Sequence, residues 1–230
     1  MKQSFRGLAA RASLPAALWT CLVMTVIEAG LFRILGWNAG SLEDAFAKAG
    51  VALAFVIALS VLHASFCLRG ALGAKSALPY ARLGLPRRQL LRLQAEQNAL
   101  CFFLLWAWQA LAALALAAWW CRAHPDASGA HTIFVATYRV SLLHAVLPMG
   151  DWLLWLRNLA VCLALGVCAA KAALTRRATG PMIVGVLAAI FFPVPAGGAG
   201  YIAILQIAIL FVAASFSWMD GGSEPNAEEA

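Results

Sequence analysis

The chain has 230 residues, of which 63% are hydrophobic and 12% charged, with a mean hydropathy of +0.81 and a net charge of +7. Soluble domains run at about a quarter charged residues, so this composition excludes an ordinary soluble domain. A net positive charge can attract nucleic acid, but here the cations cluster beside apolar runs. Membrane topology and anionic lipid headgroups are the usual cause of that pattern, and nucleic acid is not expected as a partner.

At roughly 20 apolar residues per crossing, the length accommodates about six membrane-spanning helices with short loops. The reading is therefore an all-α, polytopic membrane protein: one transmembrane domain over residues 1–219, then a disordered acidic tail over 220–230. At the N-terminus Phe5, Leu8 and Ala12 alternate with Lys2, Arg6 and Arg11. This predicts a short amphipathic helix on the cytosolic membrane surface. The apolar run that follows, Leu14 to Trp37, is too long for a signal-peptide core and predicts an uncleaved first span.

Glu28 lies about two-thirds of the way along that span. An acidic side chain costs on the order of 3 kcal/mol at mid-membrane, so it is expected to face the bundle interior with a partner. Arg33 is about 140° further round the helix and poorly placed. Arg157, near the outer end of the fourth span, is the better candidate. Glu28 is then either part of a translocation path or one half of a tie between helices.

The second span is predicted from about Ala45 to Leu68 and the third from about Asn98 to Trp120. Between them, Arg69, Lys75, Arg82, Arg87, Arg88 and Arg92 form a block of positive charge without an acid. Gly70-Ala71-Leu72-Gly73-Ala74-Lys75-Ser76 resembles a phosphate-binding loop but has the wrong glycine spacing, and Ala74 separates Gly73 from Lys75. In the third span Asn98 and Gln109 are three helical turns apart and share one stripe. They are candidates for a translocation path or for helix-to-helix glue, worth roughly 0.6–2 kcal/mol per buried amide.

His131 to Met149 is apolar yet contains Arg139 and His144. Phe134, Val135, Tyr138, Leu142 and Ala145 follow helical spacing and predict an amphipathic helix on or dipping into the outer interface. A seventh span would reverse all later segments and place Lys171, Arg176 and Arg177 outside. The fourth span runs from about Trp152 to Leu174, and the last two come from Pro181–Pro195 and Tyr201–Trp218, around a proline- and glycine-rich turn. With both termini cytosolic, most of the 17 Lys and Arg residues fall inside, as the positive-inside rule requires.

Catalytic signatures are missing: there is no HExxH, no GxSxG and no CxxC, and the six cysteines read as packing residues. No metal or cofactor is expected, and the chain is not expected to be an enzyme. A lipid-modifying site built from His131, His144 and Asp151 is one rival reading; an assembly factor, immunity protein or sensor acting through its spans is another.

The segment Arg82-Leu83-Gly84-Leu85-Pro86-Arg87-Arg88-Gln89-Leu90-Leu91-Arg92 predicts a turn followed by a short basic helix with Pro near its start. With the six spans and the N-terminal helix, Leu85-Pro86-Arg87-Arg88 resembles the membrane subunits of type-2 ABC exporters. The resemblance implies a permease of a bacterial plasma membrane, partnered by a separate ATP-binding subunit and a second permease copy or paralogue. Arg82, Leu85, Pro86, Arg87, Arg88 and Arg92 would form its ATPase-coupling surface. Two features depart from the family: no Ser or Thr precedes the arginines, and the amphipathic segment follows span three instead of lying between spans five and six.

Overall fold

The computed structural model describes residues 2–71, 87–129, 131–175, 179–192 and 200–219, and these are helical with no strand among them. Helix α1 runs over Lys2–Leu31 and continues into a π-helical turn, Phe32–Gly36. The N-terminal segment is thus continuous with the first span, and Pro15 is accommodated inside the helix. Helix α2 (Leu42–Ala49) follows, then α3 (Val51–Ala71) and α4 (Arg87–Ala123). A single 3-10 turn, Pro125–Ala127, leads to α5 (Thr132–Arg139) and α6 (Ser141–Val146). The chain closes with α7 (Trp152–Thr175), α8 (Thr179–Phe191) and α9 (Gly200–Met219).

Among the described residues, four helical segments are long and apolar enough to cross a membrane: Ser13–Gly36, Val51–Leu68, Gln89–Ala123 and Trp152–Ala173. At 1.5 Å per residue the 13 residues of α8 extend about 20 Å, short of a hydrocarbon core about 30 Å thick.

The second apolar run divides where a continuous span is expected. Ser41 caps α2 by accepting from the Asp44 amide at 3.2 Å, and Glu43 and Asp44 occupy its first turn. Gly50 then takes a left-handed conformation (φ 62°), ending α2 and starting α3 at an angle. Helix α2 packs back on the π turn, with Phe46 edge-on to Phe32 at 5.3 Å. Any Cβ at Gly36 would sit 2.6 Å from the Ala45 carbonyl oxygen, so only glycine permits this approach.

Contacts along the helices fix their relative directions. Helices α1 and α4 run parallel: Trp108 Nε1 donates to Thr25 Oγ1 at 2.8 Å, and further along Trp37 meets Trp119 at 4.9 Å. Helices α4 and α7 are antiparallel, with Gly166 against Ala95 and Ala99, and Trp155 against Trp106. Helices α3 and α8 are antiparallel through His63 at Gly185 and Phe55 at Phe192. Helices α7 and α9 run parallel, Arg157 meeting Gln206, with Leu163 and Val167 facing Leu210 and Ala214 across a shared groove.

One end of the bundle therefore holds the starts of α1 and α4 and the ends of α3 and α7. Lys2, Arg6, Arg11, Arg69, Arg87, Arg88, Arg92 and Lys171 lie on helix positions toward it. The opposite end carries mixed charge, with Arg33, Lys48, Arg122 and Arg139 among Glu43, Asp44 and Asp126.

The 131–149 segment forms two short helices split by extended backbone at Val140 (φ −79°, ψ 113°). Helix α5 leaves Phe134, Val135 and Tyr138 exposed, as an interfacial helix would. Helix α6 does not: Leu142, Leu143, Ala145 and Val146 are buried, and Trp106, midway along α4, donates to the Val146 carbonyl at 3.0 Å. The segment enters the bundle. Helical spacing marks an apolar face but not whether lipid or protein covers it, so the expected single helix on or dipping into the outer interface is instead two, α5 with an exposed apolar face and α6 buried in the bundle.

Candidate functional site

Two buried polar clusters and one charged helix start are the candidates. The first cluster lies between α1 and α4. Glu28 is 1% exposed and Gln109 0% exposed, and the Gln109 side chain faces the Glu28 carboxyl. Neither Glu28 oxygen, nor either polar atom of the Gln109 amide, reaches a hydrogen bond of good geometry. Their helices bring them together because α1 and α4 run parallel in register, with the Thr25–Trp108 hydrogen bond one turn away. Asn98, on the same stripe of α4, is also buried.

The second cluster centres on Arg157, fully buried on α7. Its Nε and Nη2 donate to Asn158 Oδ1 at 3.2 and 2.9 Å, and Nη1 donates to Gln206 Oε1 at 3.4 Å. Nη2 also points at the carbonyls of Ala145 and Phe192, at 3.4 and 3.5 Å. Asn158 Nδ2 donates to the same Ala145 carbonyl at 2.8 Å. One guanidinium thus ties together α6, α7, α9 and the end of α8. Its planar fork of donors suits that task, because it reaches several acceptors at once. The partnership expected between Glu28 and Arg157 is not formed: Glu28 faces Gln109, and Arg157 is held by amides and carbonyls.

Asn158 and Gln206 belong to this cluster and were not among the expected residues. Gln206 had a signal, being the lone amide in the last apolar run. His63 is a further buried polar residue, with its Nε2 3.5 Å from Cys67 Sγ.

Of the expected coupling surface, Arg82, Leu85 and Pro86 lie outside the described residues, as do Lys75, Arg176, Arg177, the loop around 193–199 and the tail 220–230. Arg87 and Arg88 open α4, and exposed Arg92 pairs with Glu96 at 3.0 Å. The basic segment is thus the first turns of one 37-residue helix that runs on through the bundle. A separate short helix was expected.

The three residues of the lipid-modifying reading sit on different elements. His131 lines a cavity of about 400 Å³ at the mixed-charge end, beside an exposed Arg139–Glu43 pair at 3.7 Å. His144 sits on α6, near Tyr138. Asp151 caps α7, accepting from the amides of Leu153 and Leu154. Among the described residues no group of three His, Cys, Asp or Glu side chains gathers as a metal site.

The fold and clusters define a class: an all-helical protein with several helices apolar and long enough to lie in a membrane, and with polar groups buried between them. No protein-family model, curated protein or solved structure matches the chain.

Proposed function

We propose that the chain is the permease subunit of a bacterial ABC exporter, coupled to a separate ATP-binding subunit and moving a small amphipathic compound, peptide or lipid. The observation that carries this reading is the continuity of the basic segment Arg87–Arg92 with α4. A load applied to the charged start of that helix is transmitted along its backbone to its contacts with α1 and α7, with no hinge at the boundary.

Two further features support it. Helices α1, α3, α4, α7, α8 and α9 alternate in direction along the chain, the order a multi-pass bundle with both ends on one side would have; four of the helical segments are long enough to cross. Cations concentrate at one end, which the positive-inside rule makes cytosolic, with both termini there. In this mechanism, closure of the ATPase on ATP pushes the 82–93 segment and rocks α4 against its neighbours between inward- and outward-facing states. A second permease copy or paralogue completes the pathway, and the basic end also rests on anionic lipid headgroups.

The experiment is co-purification from the native membrane, combined with an export or resistance assay. An ATP-binding subunit should be retained by the wild type and lost with the double charge reversal Arg87→Glu, Arg88→Glu, which also abolishes export. If no ATPase is retained and the double variant leaves export unchanged, the reading fails.

A further inference from the structure

We propose that Glu28 and Gln109 form a proton-binding site in the seam between α1 and α4: the carboxyl carries a proton at neutral pH, and releasing it admits water to the seam. The argument begins with donors and acceptors. Four buried polar atoms, the two Glu28 oxygens and the Gln109 Nε2 and Oε1, have no well-formed partner elsewhere. They face one another across the seam.

A protonated carboxyl and a primary amide are complementary. The acid O–H donates to Gln109 Oε1, and Gln109 Nε2 donates to the acid carbonyl oxygen. That pairing would satisfy all four atoms. With an ionised carboxylate Gln109 Nε2 can still donate, but Gln109 Oε1 meets only acceptors and is left without a donor. A buried acceptor without a partner is costly, and an unpaired buried charge far more so.

Charged and titratable groups on the neighbouring elements do not neutralise Glu28 instead. On α4, Cys101 lies beside Cys21 and Glu96 pairs with Arg92. On α3, His63 and Cys67 contact each other. On the π turn, the Arg33 guanidinium lies 4.6 Å above the Trp37 ring. None forms an ion pair with Glu28. A metal cation is a poor fit, since hard cations take six or more oxygen ligands and the nearby Thr25 Oγ1 is already bonded to Trp108. A proton needs only the pair itself.

Release has a structural consequence. The proton leaves to water, and the carboxylate that remains must be solvated. Glu28 has no exposed surface to speak of, so solvation requires α1 to part from α4. Proton occupancy therefore sets whether this seam is closed. The inference does not depend on ATPase coupling, and its test is read without transport.

The test is infrared spectroscopy of the purified full chain in lipid vesicles. At neutral pH the wild type minus Glu28→Gln difference should contain one protonated-carboxyl C=O band per chain, shifting in heavy water. Gln109→Leu should move that band to higher frequency, because the acid loses its hydrogen-bond partner. Raising the pH on the wild type alone should replace the band with carboxylate bands and speed amide exchange in α1. No carboxyl band at neutral pH overturns the site. A band unmoved by Gln109→Leu overturns the pairing, and a band that persists into strongly alkaline solution overturns release.

Discussion

At the residue scale the bundle buries polar groups of two kinds: Arg157 is matched by its neighbours, whereas Glu28 and Gln109 have no well-formed hydrogen bond. Arg157 has donors directed at Asn158, Gln206 and two backbone carbonyls. Hydrogen bonds to a charged group contribute about 1.5–3 kcal/mol each, and removing one member leaves the others unsatisfied. Arg157→Met should therefore lower stability by about 3 kcal/mol or more in unfolding measured in detergent. Arg157→Lys should recover little, since an ammonium cannot reproduce the fork. Glu28→Gln should behave oppositely, within about 0.5 kcal/mol of wild type, because glutamine has the shape and neutrality of the protonated acid. Glu28, Gln109 and Arg157 were legible in the sequence as polar letters within apolar runs. Their partners were not. A single sequence gives depth and face along each helix, but the identity of the facing residue depends on how helices are paired and in what register.

At the element scale, α4 and α7 cross backbone against backbone at Gly166. A Cβ at Gly166 would lie 2.7 Å from the Ala99 amide nitrogen and 2.8 Å from the Ala95 carbonyl oxygen. Backbone atoms cannot step aside as a flexible side chain would, so the helices must separate. Small residues at such crossings are what permit close packing when lipid supplies no hydrophobic drive between helices. Gly166→Val is expected to cost at least the 1–3 kcal/mol typical of overpacking. Gly30 in α1 has nothing within 4 Å of its would-be Cβ. Gly30→Ala should be neutral or stabilising by up to about 1 kcal/mol through helix propensity. Paired thermal unfolding of the two variants checks the crossing against the general effect of replacing a helical glycine. At this scale the sequence marks the long helices well, because an apolar run of spanning length has few alternatives. It marks the break at Gly50 only weakly: Ser41, Lys48 and the glycine itself are signals, but the residues flanking the glycine are otherwise apolar. It also conceals the burial of α6, since an apolar stripe is the same letters whether lipid or Trp106 lies against it.

At the scale of the whole molecule, charge and direction agree. Parallel α1 and α4 and antiparallel α3 and α7 bring the basic residues of distant segments to one end, although no single loop contains them all. A cation-rich end is the harder one to move across a bilayer, so the fold and the charges together predict a cytosolic basic end. The prediction is specific about which exposed positions lie on which side. Gly40, just before α2, is exposed at the mixed-charge end, and Arg92 is exposed at the basic end. In a Cys121→Ser background, which removes the one half-buried native thiol near the mixed-charge end, a single Gly40→Cys should react with a membrane-impermeant maleimide on intact cells. A single Arg92→Cys should react only after the cells are permeabilised. The reverse pattern would place the basic end outside, and with it the start of α4. No cytosolic ATPase could then reach that helix, so the same labelling experiment decides orientation and removes the coupling proposal if it inverts. Equal labelling of both positions on intact cells would show that α1 and α4 do not cross as a parallel pair.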